Sequence, residues 1–325
     1  MRILILAAGT RNRIVRYFKA ALRGTGAVFA ADADPLAPAL YEADGCYIVP
    51  AVHKNDYIDC VLSLCEKESI DGVLSLIDPD LSVLAANENR FRAVGTTVIG
   101  SSFPCCEMAL DKYQMYLWLA RRRYPCARSW RDLPSFEAAF AKGEAAFPVL
   151  VKPARGSASV GISSVCDREM LELLLRRHDD LMLQEYLRGQ EIGADVYVDL
   201  LSGKVVSVFT KIKIRMRAGE TDRSVSFKDP ALFSLIKRFV TEAGFRGPVD
   251  IDLFEVGGQY YISEVNPRFG GGYPHAHECG CDFPQLILNN LNGIVNEPQI
   301  GDYEEGVCMM KYSDVTIRRE AELAP

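Results

Sequence analysis

Aliphatic runs alternate with helix-spaced segments over the first hundred residues, and this alternation restricts the chain to few folds. Arg2 to Ala8 opens the chain as a continuous aliphatic run. Gly9-Thr10 then leads into a segment in which Val15, Phe18, Ala21 and Leu22 recur at helical spacing. A second apolar run, Ala27 to Ala31, ends at Asp32-Ala33-Asp34, and Tyr47 to Val49 forms a short third. The pattern continues with a helix from Asp56 to Lys67 and a strand from Gly72 to Leu76, followed by Asp78-Pro79-Asp80. A strand without polar alternation is buried on both faces. Strand–helix–strand repeated at this spacing predicts an α/β domain with a doubly wound parallel sheet. Ligands of such sheets bind beyond the carboxyl ends of the strands, where Gly9, Asp32 and Asp78 fall. A dinucleotide site is the obvious rival. After the first strand, however, stands Ala7-Ala8-Gly9-Thr10-Arg11-Asn12 rather than G-x-G-x-x-G, so an NAD reading rests on Asp32 alone.

The remaining 225 or so residues (roughly, by the usual domain sizes) leave room for one or two further domains. A hydrophobic fraction of 49% and a charged fraction of 25% are those of a globular protein. The net charge of −6 gives no reason to expect nucleic acid or an anionic membrane as partner. No apolar run reaches the ~18 residues that span a bilayer. The opening MRILILAAG lacks the length and cleavage pattern of a signal peptide. The ten cysteines are scattered, without paired C-x-x-C spacing, and are expected to be reduced thiols of a cytoplasmic protein. Cys279-x-Cys281 beside His275 and His277 is the one local cluster of softer metal ligands.

In the middle of the chain a helix is expected from about Ala109 to Arg123, carrying Asp111-Lys112. A strand through Phe147–Pro153 carries Lys152 near its end. The small-residue loop Ala154 to Gly161 and the strand Ile162 to Val165 follow. Small residues let backbone N–H groups curl around phosphate oxygens, although this is not a Walker A loop. A helix (Arg168 to Arg177), a strand (Leu181 to Glu185), Glu185-Tyr186-Leu187 and Gly189-Gln190-Glu191 come next, then strands Ile192 to Asp199 and Lys204 to Lys213. Lys211, Lys213, Arg215 and Arg217 alternate and so project to one side of an extended strand. They read either as a charge-guarded edge or as a clamp for an anionic substrate, because Arg binds carboxylates bidentately.

From Pro248 to Tyr273 the chain reads PVDIDLFEVGGQYYISEVNPRFGGGY. Two apolar-rich runs around Gly257-Gly258 predict a β-hairpin. A three-residue loop, Gly257-Gly258-Gln259, would set Asp252 opposite Glu264, whereas a two-residue loop would set it against Ser263. The longer loop is therefore expected. Alternation adds Asp250 and Asn266 to the same face, and Arg268 lies just beyond. The alternative is a solvated outer face of an edge hairpin. Two carboxylates and an amide beside a cation suit Mg²⁺ carrying phosphates.

Taken in order, Asp111-Lys112, Val151-Lys152-Pro153 with its Gly/Ser loop, Gln184-Glu185-Tyr186-Leu187 with Glu191, then Asp252 and Glu264-x-Asn266-Pro267-Arg268 resemble an ATP-grasp enzyme over nearly the whole chain. The likeness is to a single ATP-grasp half of the carbamoyl-phosphate synthetase large subunit. It implies a doubly wound pre-ATP-grasp domain (1–105), then a two-subdomain ATP-grasp fold of α+β type (106–190 and 191–325). It also implies ATP and Mg²⁺ as cofactors, with Mn²⁺ as a substitute. By the resemblance, Lys112 and Lys152 contact ATP phosphates, and Gly156, Ser157, Ser159 and Gly161 belong to the closing loop. Glu185, Tyr186 and Leu187 form the adenine-reading segment and Glu191 holds the ribose. Asp252, Glu264 and Asn266 hold the metal. Arg268 stabilises the transferring phosphate, and Arg217 matches a phosphate-contacting position. One ATP-grasp unit without a glutaminase-like domain implies a stand-alone carboxylate–amine ligase acting through an acyl phosphate, on small-molecule acid and amine substrates. A nucleotide-binding subunit that needs a partner chain is the other outcome of the same resemblance, and a homodimer stays open.

Overall fold

The computed structural model describes residues 1–156 and 161–323. The first sheet is parallel, formed by β1 (Arg2–Leu6), β2 (Ala27–Asp32), β3 (Gly45–Ile48), β4 (Gly72–Ser75) and β5 (Thr97–Val98) in the order β3-β2-β1-β4-β5. Its helices are α1 (Asn12–Leu22), α2 (Tyr57–Glu68), α3 (Asp78–Ala86) and α4 (Glu88–Ala93). Successive residues of β1 serve different cores. Ile3 and Ile5 pack with Val15 and Phe18 of α1, whereas Leu4 and Leu6 pack with Val61 and Cys65 of α2. This two-sided burial is why the strands read as unbroken aliphatic runs. The order reverses between β1 and β4, so the loops after these strands, carrying Gly9 and Asp78, flank the switch point.

Helix formation then breaks where one helix was expected. α5 (Phe103–Leu110) and α6 (Lys112–Arg121) meet at Asp111, whose carboxylate accepts from the N–H groups of Tyr113 and Gln114. An Asp in N-cap geometry starts a helix rather than continuing one, and it leaves Lys112 in the first turn of α6. The second sheet, β6-β9-β7-β8, is antiparallel: β6 (Ser129–Trp130), β7 (Val149–Pro153), β8 (Ser163–Val165) and β9 (Leu181–Glu185). It packs against α7 (Leu133–Ala141) and α8 (Arg168–Arg177) through Phe136 and Leu171.

The third sheet is antiparallel, in the order β14-β13-β10-β11-β12-β15. Its strands are β10 (Gln190–Val198), β11 (Val205–Arg217), β12 (Glu220–Ser226), β13 (Gly247–Val256), β14 (Gln259–Asn266) and β15 (Cys308–Met310). β12 and the helix α9 (Pro230–Ala243) carried no assignment from the sequence. α9 covers one face of the sheet, where Leu232, Ile236 and Phe239 meet Ala194, Val196, Val249 and Ile251. The opposite face carries the polar residues. β11 lies between β10 and β12, so its basic residues do not guard an edge. α10 (Tyr273–Glu278) and α11 (Phe283–Leu291) return to the first sheet. There Tyr273, Phe283 and Ile287 share one core with Ile3, Ile5 and Phe18.

Two expectations about strand ends need correction. The strand expected from Val98 to Ser101 is limited to Thr97–Val98. The hairpin loop is the two-residue Gly257-Gly258, both at positive φ (59° and 83°), with Val256 paired to Gln259. Asp252 nevertheless faces Glu264, because the register shifts by one residue between Asp252 and Leu253, leaving Ser263 as the extra residue of a bulge. The reason is burial. Ile262 and Val265 both enter the core beneath α9, and two residues an odd number apart cannot share a face of a regular strand.

Candidate active site

Three strands lay out one charged face. Along β10 the face carries Glu191, Gly193 and Asp195. On β11 Lys211 stands opposite Gly193, with Lys213 two residues on, and on β13 Asp252 and Asp250 stand opposite Gly193 and Asp195. β14 then sets Glu264 against Asp252 and Asn266 against Asp250. The sequence places each of these residues there by simple alternation.

Gly193 is needed for space rather than for its backbone angle. A Cβ there would lie 2.9 Å from Cε of Lys211 and 3.1 Å from Cε of Lys213. The two stems cross the sheet over this gap. Lys211 pairs with Asp195, both fully buried. Lys213 Nζ donates to Asp252 Oδ1 at 2.6 Å and to Glu191 Oε1 at 3.0 Å. Burial alone would lower the Lys213 pKa, but Asp252 and Glu191 outweigh it and raise it above the ordinary lysine value. Lys213 is therefore a firmly charged bridge between two of the expected ligand-holding carboxylates. The sequence showed it as one of four alternating cations without marking it out.

Two more lysines converge here. Lys112 Nζ lies 3.9 Å from Glu264 Oε1 and donates to the carbonyl of Gly156, at the start of the small-residue loop. Lys152, 4% exposed, donates to Gln184 Oε1 at 2.8 Å, and Gln184 in turn donates to Ser129 Oγ at 3.2 Å. Burial lowers the Lys152 pKa, with Glu264 opposing that shift. Gln184 thus fixes Lys152, a role its place in the adenine-reading motif did not disclose. Ser157 and Ser159 lie outside the described residues.

The segment expected to read adenine borders an open cavity of ≈ 450 Å³, lined by Tyr186, Leu187, Glu191 and Phe254 among others. Glu185 does not offer a free carboxylate there. It is gripped by Arg128, whose Nε and Nη2 donate at 3.1 and 2.9 Å and whose backbone N–H adds a third bond. The hydrogen bonds from Arg128 lower the Glu185 pKa despite its burial. Gly161, at φ 76°, is packed against Pro153.

Beyond the acids, Arg268 is held from three sides. Nε and Nη2 donate to Asp78 Oδ2 at 3.1 and 3.0 Å, Nη1 donates to the carbonyl of Phe269 at 3.1 Å, and Asp250 lies 3.7 Å away. Burial, reinforced by the charge of Asp252 and opposed by Arg268, pushes the Asp250 pKa up to about 7. Asn266 Nδ2 donates to Asp250 Oδ2 at 3.4 Å. The three glycines after Arg268 admit close neighbours. A side chain at Gly270 would strike Asp250. One at Gly271 would lie 2.6 Å from Glu220 and 2.8 Å from Arg11, and one at Gly272 would lie 2.7 Å from Lys211.

Arg217 and Arg215, by contrast, sit at the outer end of β11, half exposed and ion-paired with Asp222. The irregular β11–β12 register separates them from the buried lysines of the same strand. Asp32 accepts backbone bonds from Gly9 and Asp34, which occupies it in shaping the first loop. Both ring nitrogens of His275 are engaged, with Ser224 and with the carbonyl of Val307. All ten cysteines are free thiols. Among the described residues no group of three or more His, Cys, Asp or Glu is arranged around a metal position. No helix among them is long and apolar enough to cross a membrane.

Comparison with known proteins finds similarity in two stretches of the chain. Residues 3–99 match the family described as PylC-like, N-terminal domain. Residues 177–315 match the family described as ATP-grasp in the biosynthetic pathway with Ter operon. A D-alanine–D-alanine ligase of Geobacter sulfurreducens is 30% identical over 136 residues, 37% of this chain and 42% of that one. The arginine-specific carbamoyl phosphate synthase large chain of Bacillus subtilis is 26% identical over 188 residues, 54% of this chain and 18% of that one. The match thus spans less than half the length of either relative. In fold, the biotin carboxylase domain of Hydrogenobacter thermophilus 2-oxoglutarate carboxylase, solved with MgADP and bicarbonate, superposes with a TM-score of 0.74. It is 18% identical, covering 94% of this chain and 73% of that one. A PylC-like match over residues 3–99, followed by an ATP-grasp match over residues 177–315, makes the chain similar to ATP-grasp ligases over these two stretches.

Proposed function

We propose that this chain is an ATP-dependent carboxylate–amine ligase that forms an amide or peptide bond and releases ADP. The observation that carries this reading is the facing pair Asp252 and Glu264, with Asn266 beside it and Lys112 and Lys213 reaching its oxygens. The donor set fits Mg²⁺, a hard ion that takes one or two carboxylates and fills its remaining positions with phosphate oxygens and water. Mn²⁺ accepts the same ligands. When bound, the ion would supply charge neutralisation on the phosphates. Domain limits of 1–105, 106–190 and 191–325 belong to the same proposal, as does a cytoplasmic location.

In this reading the substrate carboxylate attacks the γ-phosphorus of ATP. A C–O–P linkage forms as the bridge to the β-phosphate breaks, and ADP leaves. The amine nitrogen then attacks the acyl carbon, the C–N bond forms, phosphate departs and the nitrogen loses its extra proton. Phosphoryl transfer asks for position and charge more than for covalent help. Lys112 and Lys152 face the phosphates. Tyr186 and Leu187 receive the base and Glu191 the ribose. Arg268, steadied by Asp78, carries negative charge as it develops. No serine or cysteine nucleophile is assigned.

The test is ADP release from the purified chain with ATP, Mg²⁺ and mixed amino acids, with acid and amine then withdrawn one at a time. Turnover that requires both supports a ligase. ATP binding without turnover in any mixture favours a nucleotide-binding subunit that works with a partner chain. A thermal shift with NAD and none with ATP would overturn both.

A further inference from the structure

We infer that the segment from Lys311 to Arg319 is an interaction surface for a second copy of this chain, joined to it as an antiparallel strand pair centred on Thr316. The segment follows β15 and carries neither helix nor strand. It is tied down near both ends. The Lys311 N–H donates to the carbonyl of Asp222 at 2.9 Å, and Lys311 Nζ donates to Glu220 Oε2 at 2.8 Å. Arg318 Nη2 donates to the carbonyl of Tyr41 at 3.4 Å, and the guanidinium lies 5.7 Å from the centre of the Tyr41 ring. Between these ties, among the described residues, no backbone group from Tyr312 to Ile317 bonds to another backbone group.

Exposure marks this arm off from the rest of the surface. Met310, Tyr312, Val315 and Ile317 are 70%, 73%, 80% and 83% exposed, more than any other large apolar side chain among the described residues. Apolar residues exposed singly are ordinary, but their concentration in one short stretch marks a contact surface. Val315, Thr316 and Ile317 are β-branched and suit a strand. Their backbone donors and acceptors are what an added strand pairs with. The arm has the parts of a strand without its partner.

The order of the residues selects that partner. Asp314-Val315-Thr316-Ile317-Arg318 reads acid, apolar, hydroxyl, apolar, base, and so complements itself when reversed. A two-fold axis through Thr316 sets Asp314 against the partner's Arg318, Val315 against the partner's Ile317, and the two Thr316 residues against each other. Opposite charges and Thr–Thr pairs are cross-strand combinations that stabilise a sheet. Alternation puts the valines and isoleucines of both copies on one face and the charges on the other. Further out, Ser313 meets Arg319 and Tyr312 meets Glu320, so no like charges are opposed. A slip of one residue would set Asp314 against Ile317, or Val315 against Arg318. A partner of unrelated sequence would make no use of this symmetry. The ties at Lys311 and Arg318 hold the arm in place beforehand, which lowers the cost of ordering it on association.

Sedimentation equilibrium and light scattering of the full chain over a range of concentrations test the interface. The expected wild-type species is a dimer that dissociates on dilution. Asp314→Arg and Arg318→Asp each oppose like charges at two points, and each should raise the dimer Kd about tenfold or more. The double variant Asp314→Arg/Arg318→Asp opposes unlike charges again and should recover dimerisation. Opposed residues of an antiparallel pair lie about 4.5–5.5 Å apart at Cα, within disulfide reach. Thr316→Cys should therefore give a disulfide-linked dimer under mild oxidation, above the background that the exposed Cys166 and Cys308 give in wild type. Asp314, Thr316 and Arg318 are exposed, so the variants keep the fold, which circular dichroism checks. A wild-type monomer at every concentration, an assembly larger than a dimer, or single charge variants that dimerise like wild type overturns the interface. A double variant that fails to recover, or Thr316→Cys protein that crosslinks no more than wild type, overturns the pairing about Thr316.

Discussion

Asp78 and Arg268, 190 residues apart in the chain, meet through two hydrogen bonds to a single carboxylate oxygen. The parallel domain thereby orients the arginine that follows the acidic hairpin. Asp78→Asn keeps the shape but removes the charge from this contact, while Phe269 and Asp250 still hold the guanidinium. The expected outcome is a roughly tenfold loss of kcat, ~1.4 kcal/mol, with KM for ATP within about twofold of wild type. Steady-state kinetics check it, and an unchanged kcat would remove Asp78 from the positioning role.

Asp252→Asn and Glu264→Gln each take one charge from the facing pair at nearly constant volume. Both variants are expected to fold, by circular dichroism, and to lose more than nine-tenths of turnover, above ~1.4 kcal/mol. A Mg²⁺ titration should show weakened dependence on the ion. If both keep more than a tenth of the wild-type rate, the metal assignment is wrong.

Lys152→Ala should weaken ATP binding, and Lys142→Ala should not. Lys152 is buried against Gln184 at the end of β7, whereas Lys142 is exposed at the end of α7. Calorimetry with ATP decides this, and equal affinities for the two variants would refute the phosphate role.

Asp199 predicts how the fold responds to acid. Its two oxygens accept from Leu201, Ser202, Asn290 and Asn296 through six donors. Burial by itself raises this carboxyl, but the bonds from Asn290, Ser202 and Asn296 outweigh burial and hold the pKa below the ordinary Asp range. A group depressed in the folded state stabilises the protein above its unfolded pKa, near 3.9, and the contribution is lost as pH falls. Asp199→Ala should cost about 2 kcal/mol at pH 7, and the gap to wild type should narrow below about pH 4. Urea melts at the two pH values check the sign.

Much of this site was legible because strands place residues by simple alternation. Asp250, Asp252, Glu264 and Asn266 occupy one face as their spacing implies, and Lys152 ends its strand before the loop. Cross-strand and cross-domain relations were hidden. Nothing adjacent in sequence says that Lys213 spans Glu191 and Asp252, that Gly193 clears its path, or that Asp78 meets Arg268. The uniform look of Lys211, Lys213, Arg215 and Arg217 concealed a division into two buried bridges and two exposed arginines, created by the irregular pairing with β12. The hairpin register came out as expected for a different reason. Even spacing was assumed, whereas Ile262 and Val265, buried together at odd separation, mark the bulge.

That bulge separates the tip of the hairpin from its chemistry. Between Gly257-Gly258 and Ser263 the ladder keeps one register, and between Glu264 and Asn266 it keeps another. Loss of Ser263 would leave an even ladder that still sets Ile262 against Leu253 and Glu264 against Asp252. A one-residue slip on the tip side would instead turn Ile262 out of the core beneath α9. The opposed carboxylates are thus anchored through an apolar neighbour that takes no part in their chemistry.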